Sequence, residues 1–168
     1  FYSEVLDTVR NGITNKVNPD NLVLEINASK YAYNVTFHEL NHAVTKTFLE
    51  CVFSGLTAYH QDVLKDMKKS VGHIHPLFAH YMKEAENQRV AILAAEEFFI
   101  QNEAMSPAFQ TFLHLMYDED VFDENVILDW FKSPSLDDLL GNENQEKIRE
   151  QVSRFITWLK EAEEESDD

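Results

Sequence analysis

The stretch TFHELNHAVTKTFLECVFSG, residues 36–55, contains signals for both ends of one long helix. Thr36 is followed three residues later by Glu39, which is the form of a capping box at a helix start. Gly55 stands just beyond the apolar residue Phe53, and glycine in this position is typical of a helix end. The stretch therefore predicts a helix that runs from the capping box towards Phe53.

Similar signals recur along the chain and predict seven or eight helices with short connections. Asn18 followed by Pro19 is a second cap, with proline at the first helical position. Ser3 can cap a first helix that ends near Asn15. The predicted helices cover residues 3–15, 19–33, 36–53, 57–70, 76–103, 107–118, 123–132 and 143–162.

Composition favours an all-α fold. The 168 residues are 44% hydrophobic, enough for one domain with a core, and contain four Gly and four Pro. Alternating β-branched runs are absent, which argues against a sheet. Short connections favour antiparallel helix pairs stacked as a HEAT/ARM-like solenoid. We therefore expect one helical domain over residues 1–162, followed by a disordered acidic tail over residues 163–168.

Charge is distributed unevenly between the two halves of the chain. Residues 1–90 carry ten acids against nine Lys and Arg, whereas residues 91–168 carry twenty acids against five. The second half thus supplies −15 of the total charge of −16. Such a surface repels nucleic acid and anionic membranes and attracts a basic partner.

Several features predict a soluble cytoplasmic protein. No apolar run approaches the roughly 20 residues that span a bilayer, and no charged-then-apolar leader opens the chain. The single cysteine, Cys51, can form no internal disulfide, which fits a reducing compartment. The chain starts at Phe1 without Met, so we expect it to be a piece of a longer protein.

The last predicted helix has a defined apolar stripe, and Trp158 lies outside its centre. Trp158 is about 100° from the centre and next to the acidic residues at the end of the chain. The indole either covers a neighbouring helix or anchors a contact with a partner. The stripe consists of Ile148, Val152, Phe155, Ile156 and Leu159.

The segment ILAAEEFFIQNE, residues 92–103, places a carboxylate on an apolar side. Glu96 falls within the stripe formed by Ile92, Ala95, Phe99 and Ile100, whereas Glu97 lies on the opposite side. A carboxylate in that position needs a partner. Glu96 either has a structural role, capping a neighbouring helix or pairing with Arg89 or Arg154, or belongs to a binding surface.

The segment HELNH, residues 38–42, matches the zinc-binding pattern H-E-x-x-H. The longer metzincin pattern would need Gly and His at the positions of Thr45 and Phe48. Glu39 also has a competing use in the capping box. No glycine-rich phosphate loop or other catalytic constellation occurs in the sequence. We therefore expect no metal site and no cofactor, and an activity that works by binding.

Three segments resemble the aromatic and acidic boxes of the W2-type domain, a helical HEAT-like module of translation initiation factors. They are AAEEFF at 94–99, DWF at 129–131 and FITWLKEAEEESDD at 155–168. A fourth segment, NLVLEINASKYAYNV at 21–35, resembles the catalytic segment of one branch of the family, the epsilon subunits of initiation factor 2B. The resemblance spans nearly the whole chain and is weak between residues 50 and 80.

The resemblance implies a guanine-nucleotide exchange domain that promotes GDP release from translation initiation factor 2, without covalent chemistry. The boxes would bind lysine-rich segments of its beta subunit, and Glu25, with Leu24 and Asn27, would act on the G domain of its gamma subunit. Other subunits of initiation factor 2B would bind through the missing part of the chain, and no nucleic acid or membrane is expected. An adaptor like initiation factor 5, without exchange activity, is the alternative. The implied partner-binding residues are Glu96, Glu97, Phe98, Phe99, Asp129, Trp130, Phe131, Trp158, Leu159, Glu161, Glu163, Glu164 and Glu165.

Overall fold

The computed structural model describes residues 1–133 and 142–166, with side chains in the second range described for 143–162. The described residues form α-helices and one 3-10 turn and contain no β-strand, as the composition predicts. The helices are α1 Tyr2–Thr14, α2 Pro19–Tyr33, α3 Phe37–Val52, α4 Asp62–Tyr81, α5 Ala85–Gln101, α6 Ala108–Asp118, α7 Glu124–Lys132, α8 Asn142–Gln151 and α9 Ser153–Ser166; the 3-10 turn is Glu103–Met105.

Two of the predicted helix starts have the expected caps. At α3, the backbone N–H of Glu39 donates to Thr36 Oγ1 at 3.1 Å, and the Thr36 N–H donates to Glu39 Oε2 at 2.9 Å. At α2, Asn18 Oδ1 accepts from the N–H of Asp20 at 2.9 Å. The Ser3 cap is wrong, because α1 already begins at Tyr2 and Ser3 lies inside the helix.

The predicted boundary between residues 70 and 76 is also wrong. The helix continues through Pro76 and ends at Tyr81. An internal proline loses a backbone hydrogen bond and costs about 3 kcal/mol. Burial of each large apolar side chain contributes about 1.5–3 kcal/mol, which offsets this cost. The buried residues around the proline are Val71, Ile74, Leu77 and Phe78.

The predicted helix over 143–162 is divided into α8 and α9 at Val152. The N–H of Val152 donates to the carbonyl of Arg149 at 3.1 Å, and Ser153 Oγ donates to the carbonyl of Glu150 at 2.8 Å. Hydroxyl groups that bond to the local backbone in this way compete with helical hydrogen bonds. The last helix then extends to Ser166, beyond the predicted end at residue 162.

Alternate helices pack side by side in two rows. One row contains α1, α3, α5, α7 and α9, each in contact with the next, and the other contains α2, α4 and α6. This arrangement confirms the predicted stacking of helix pairs as a HEAT-like solenoid. The helix α8 departs from the pattern because it packs against α5 and α9. No helix in the described part of the chain combines the length and apolar character needed to cross a bilayer.

Aromatic rings connect the two rows through the core. Phe48 of α3 contacts the ring of Phe78 of α4 at 5.2 Å between centroids. Phe109 of α6 contacts Phe99 of α5 at 5.1 Å and Trp130 of α7 at 5.6 Å. All five rings are fully buried, so residues of the predicted boxes on α5 and α7 are part of the core.

Candidate functional site

Five residues of the predicted partner-binding set lie in the interior. Each is 0–4% exposed, so none of these side chains offers a surface to a bound partner. This burial corrects the prediction that the five side chains contact a partner directly. They lie beneath the surface and support it. The apolar residues have to be buried because they form the inner stripes of α5, α7 and α9. The five residues are Glu96, Phe98, Phe99, Trp130 and Leu159.

Glu96 is held by α8. Its Oε2 accepts from Arg149 Nε at 3.1 Å, and its Oε1 accepts from Gln145 Nε2 at 3.5 Å. Burial raises the pKa of Glu96, and the nearby Arg149 guanidinium opposes this shift. A structural carboxylate was one of the two expected roles, but the predicted partners Arg89 and Arg154 are wrong.

Arg149 joins three helices. Besides Glu96 of α5, its Nη1 donates to the carbonyl of Phe131 at 3.1 Å and to that of Ser133, both at the end of α7. The guanidinium also lies 5.2 Å from the centre of the Trp130 ring. Five donors in one planar group allow these simultaneous contacts. The residue therefore fixes α8 relative to α5 and α7.

Glu97 forms a second, more exposed cluster between α3 and α5. Its carboxylate is 3.1 Å from His42 Nε2 and 3.5 Å from Lys46 Nζ. Partial burial raises the pKa of Glu97, but the hydrogen bond from His42 and the charge of Lys46 outweigh burial and leave the pKa below its usual value. In the HELNH segment, His42 thus bonds to Glu97 and Glu39 completes the capping box.

The other predicted box residues differ in exposure. Asp129 and Glu161 are exposed, Phe131 is half-buried, and Trp158 is 44% exposed. Trp158 therefore lies on the flank of the α9 stripe, as the helical spacing predicts. The side chains of Glu163, Glu164 and Glu165 lie outside the described residues.

Trp158 belongs to a cluster of four rings that we call the aromatic platform: His114 and Tyr117 of α6 with Phe155 and Trp158 of α9. The Trp158 ring centre is 5.0 Å from His114, 5.9 Å from Tyr117 and 5.9 Å from Phe155. The backbone N–H of Phe155 also donates to Gln110 of α6 at 3.2 Å. Contacts with both helices fix the orientation of the indole.

Sequence reasoning missed the α6 contribution to the platform. His114 and Tyr117 are three residues apart and therefore share one helix side. They precede the acidic run Asp118-Glu119-Asp120, and His114 Nε2 lies 3.5 Å from Asp118 Oδ2. This combination of aromatic spacing and following acids was a usable signal. Exposed aromatic edges and faces next to carboxylates suit a cationic, lysine-rich or arginine-rich ligand.

A separate surface lies on α2, where the catalytic segment was predicted. Leu22 and Ile26 are buried, whereas Leu24 is 67% exposed and Glu25 is exposed. Leu24 and Glu25 therefore point away from the core. Asn27 is half-buried, and its Oδ1 accepts from the Tyr81 hydroxyl at 2.6 Å. This bond anchors α2 to α4 directly below the exposed side.

Comparison with known proteins separates the two halves of the molecule. Residues 87–168 match the model of the W2 family, which is described as eIF4-gamma/eIF5/eIF2-epsilon. Residues 87–168 belong to the W2 family. The W2 domain contains the whole aromatic platform and the Glu96–Arg149 pair, whereas α2 lies outside it.

Relatives of the W2 domain differ in how much of this chain they match. The chain is similar to the eIF2B epsilon subunit of Dictyostelium discoideum, with 31% identity over 172 residues, covering 99% of this chain and 24% of the relative. It is also similar to eIF5-mimic protein 1 of Danio rerio, 29% identical over 105 residues (62% of this chain, 24% of the relative).

Protein krasavietz of Drosophila melanogaster gives a further match, 33% identical over 94 residues, covering 55% of this chain and 21% of the relative. The chain thus spans about a quarter of the length of the curated relatives that it matches. These similarities relate the chain to translation initiation factors.

Proposed function

We propose that this chain is a guanine-nucleotide exchange domain that promotes GDP release from translation initiation factor 2. The observation that carries the proposal is Glu25, exposed beside Leu24 on α2 and outside the W2 domain. Similarity to an eIF2B epsilon subunit extends over 99% of the chain and includes this helix. An adaptor that only binds through the W2 domain has no evident use for an acidic and apolar surface on α2.

Docking is the first step of the proposed mechanism. The aromatic platform and the acidic residues of the second half bind lysine-rich segments of the beta subunit of initiation factor 2. Exposed ion pairs contribute about 0–1 kcal/mol each and are weakened by salt, so affinity comes from their number. Trp158 adds a cation–π contact of about 1 kcal/mol. The exposed members of the predicted set, Asp129, Trp158 and Glu161, are best placed to bind.

Exchange is the second step. Glu25 approaches the G domain of the gamma subunit and competes with the phosphate of GDP for a basic group near the nucleotide. Exchange needs only a stronger interaction with the nucleotide-free state than with the GDP-bound state, so no covalent chemistry is required. Asn27 supports this step indirectly, because its bond to Tyr81 holds α2 in place.

The proposal also implies the setting of the activity. The substrate is initiation factor 2 in the cytoplasm, and other subunits of initiation factor 2B bind parts of the longer protein outside this chain. The acidic second half disfavours direct contact with nucleic acid or an anionic membrane.

A second candidate is an adaptor without exchange activity. It is favoured by the similarity to eIF5-mimic protein 1 and krasavietz, which match 62% and 55% of the chain. Such an adaptor would bind the same lysine-rich segments through the W2 domain and would leave GDP release unchanged.

The release rate of a fluorescent GDP analogue from purified initiation factor 2 tests the proposal. We expect the parent chain to accelerate release and Glu25→Ala to lose at least about tenfold of that acceleration, equivalent to roughly 1.4 kcal/mol. Asp66→Ala, which removes an exposed acid from α4, is the matched control and should behave like the parent. No acceleration by the parent, with retained binding to a lysine-rich peptide, would support the adaptor instead.

A further inference from the structure

Exposed apolar side chains are concentrated around α2. Of the seven large hydrophobic side chains that are exposed in the described part of the chain, four lie between residues 24 and 37. Single exposed apolar residues are common on protein surfaces, but a contiguous group marks an interaction site. The four residues are Leu24, Tyr31, Tyr33 and Phe37.

Three residues of α2 form a continuous apolar strip that we call the α2 ridge: Leu24, Ala28 and Tyr31. At about 100° per residue they fall within roughly 60° of one another, opposite the buried Leu22. Tyr31 is 80% exposed, more than any other large hydrophobic residue in the described part. Glu25 lies about 90° from the centre of the ridge, and the exposed Asp20 lies one turn before Leu24, about 50° from that centre.

Lys30 extends the ridge to α3. Its ammonium lies 4.4 Å from the ring centre of Phe37, which is 54% exposed, and 5.4 Å from that of Tyr31. Through these two cation–π contacts, Lys30 connects the ring of Phe37 to Tyr31 of the ridge. Tyr33 is committed elsewhere, because its hydroxyl donates to Glu4 at 3.0 Å. The apolar surface therefore runs from Leu24 to Phe37, with Glu25 on one border.

We propose that the α2 ridge and Phe37 dock into an apolar groove of a partner protein that places a basic side chain against Glu25. This inference rests on the proposed function, since the partner is the protein whose nucleotide Glu25 acts on. A helix with apolar residues at spacings of three and four is the form that binds such grooves. The ridge positions the glutamate, and the groove determines which nucleotide-binding protein is accepted.

Charge complementarity favours a different protein over a second copy of this chain. In an antiparallel pair of ridges, Lys30 would have to serve as the cation for Glu25. Lys30 already contacts the rings of Tyr31 and Phe37, and moving it to Glu25 would break both cation–π contacts. The cation opposite Glu25 is therefore supplied by the partner.

The test compares Tyr31→Ala and Phe37→Ala with Leu56→Ala, an exposed leucine outside the ridge, in the GDP-release experiment. We expect Tyr31→Ala and Phe37→Ala each to lose roughly tenfold of the acceleration, because truncating a central aromatic anchor weakens an interface strongly. Binding to a lysine-rich peptide should stay within about twofold of the parent, and Leu56→Ala should match the parent. If ridge variants accelerate release as the parent does, the ridge proposal fails alone. If the parent itself has no effect, the proposed function and the ridge proposal both fail.

A photo-crosslinking amino acid at position 31 identifies the occupant of the ridge directly. We expect crosslinks to the nucleotide-binding subunit of initiation factor 2, and none from the same amino acid at position 56. Crosslinks between two copies of this chain, together with a dimer in sedimentation that Tyr31→Ala dissociates, would overturn the proposal and make the ridge a self-association surface.

Discussion

The α2 ridge and the aromatic platform both expose aromatic side chains, but their electrostatic surroundings differ. The platform lies in the half of the chain that carries −15, and the ridge lies in a half with ten acids and nine bases. A strongly charged surface attracts an oppositely charged partner over about a Debye length, roughly 10 Å at ordinary ionic strength. A nearly neutral apolar surface discriminates only after contact, by shape. We infer that the platform first binds the basic segment of the partner, and that the ridge then discriminates between partners by shape.

This division agrees with the distribution of relatives. The platform lies entirely within the W2 domain, and the similarity to eIF5-mimic protein 1 covers 62% of this chain. The match that includes the ridge is to an eIF2B epsilon subunit. Under the proposed function, the platform would bind a basic segment and the ridge would serve the exchange reaction. Three changes, from the largest expected effect to the smallest, test this difference.

Arg149→Ala should have the largest effect of the three changes, a loss of stability in the acidic half of the chain. It leaves Glu96 buried without its cation, and breaking a buried ion pair costs about 3–5 kcal/mol of unfolding free energy. Urea denaturation measures this loss, and Arg154→Ala, at an exposed arginine of α9, should change it by less than about 0.5 kcal/mol. Hydrogen exchange should increase more in α8 and α9 than in α2. Equal increases in all three helices would contradict separate stabilisation of the platform.

The same variant should depend on pH in a defined direction. Burial raises the pKa of Glu96, so the folded state binds this proton more tightly than the unfolded state. Stability then increases as pH falls through the folded pKa, above the usual value of 4.5, and decreases as pH rises through it. Removal of Arg149, which opposes this shift, raises the pKa of Glu96 further. The stability of Arg149→Ala should therefore be closer to that of the parent at pH 5 than at pH 8.

Trp158→Ala should reduce capture without affecting selection. The indole contacts three rings and is 44% exposed, so we expect affinity for a lysine-rich peptide to fall roughly tenfold in fluorescence anisotropy. Leu93→Ala, at another exposed apolar residue of the W2 domain, should have little effect. Crosslinking from position 31, at saturating partner concentration, should be unchanged. A loss of both signals would mean that the two surfaces act as one.

The smallest expected effect is a difference in salt sensitivity between the platform and the ridge. Raising salt from 50 to 300 mM should weaken peptide binding at the platform by at least about threefold, because exposed pairs are screened. Crosslink yield from the ridge, again at saturation, should change by less than about 1.5-fold, since apolar contact is not screened. Equal sensitivity would remove the electrostatic distinction between capture and selection.

Local signals in the sequence predicted local structure well. The caps at Asn18 and Thr36 depend on residues two or three positions away, and both form. The burial of the apolar stripe from Ile148 to Leu159 and the flank position of Trp158 follow from helical spacing, although the helix is divided at Val152. These features need no knowledge of how distant segments meet.

Contacts between distant segments could not be derived from the sequence. Glu96 and Arg149 are 53 positions apart, and the chain offers several arginines of similar character. The contact between the rings of His114 and Trp158 depends on α6 meeting α9. The helix through Pro76 was missed because tertiary burial outweighs a local penalty. Motif membership likewise did not distinguish the buried Trp130 from the exposed Trp158.

The bonds of Arg149 also bear on how much length variation the molecule tolerates. By holding the carbonyls of Phe131 and Ser133 from α8, this residue fixes both ends of the connection between Ser133 and Asn142. The distance that the connection has to span is therefore set by these bonds. Insertions between Ser133 and Asn142 should therefore leave α8 in position. We expect the protein to tolerate natural insertions, or an engineered reporter domain, at this connection.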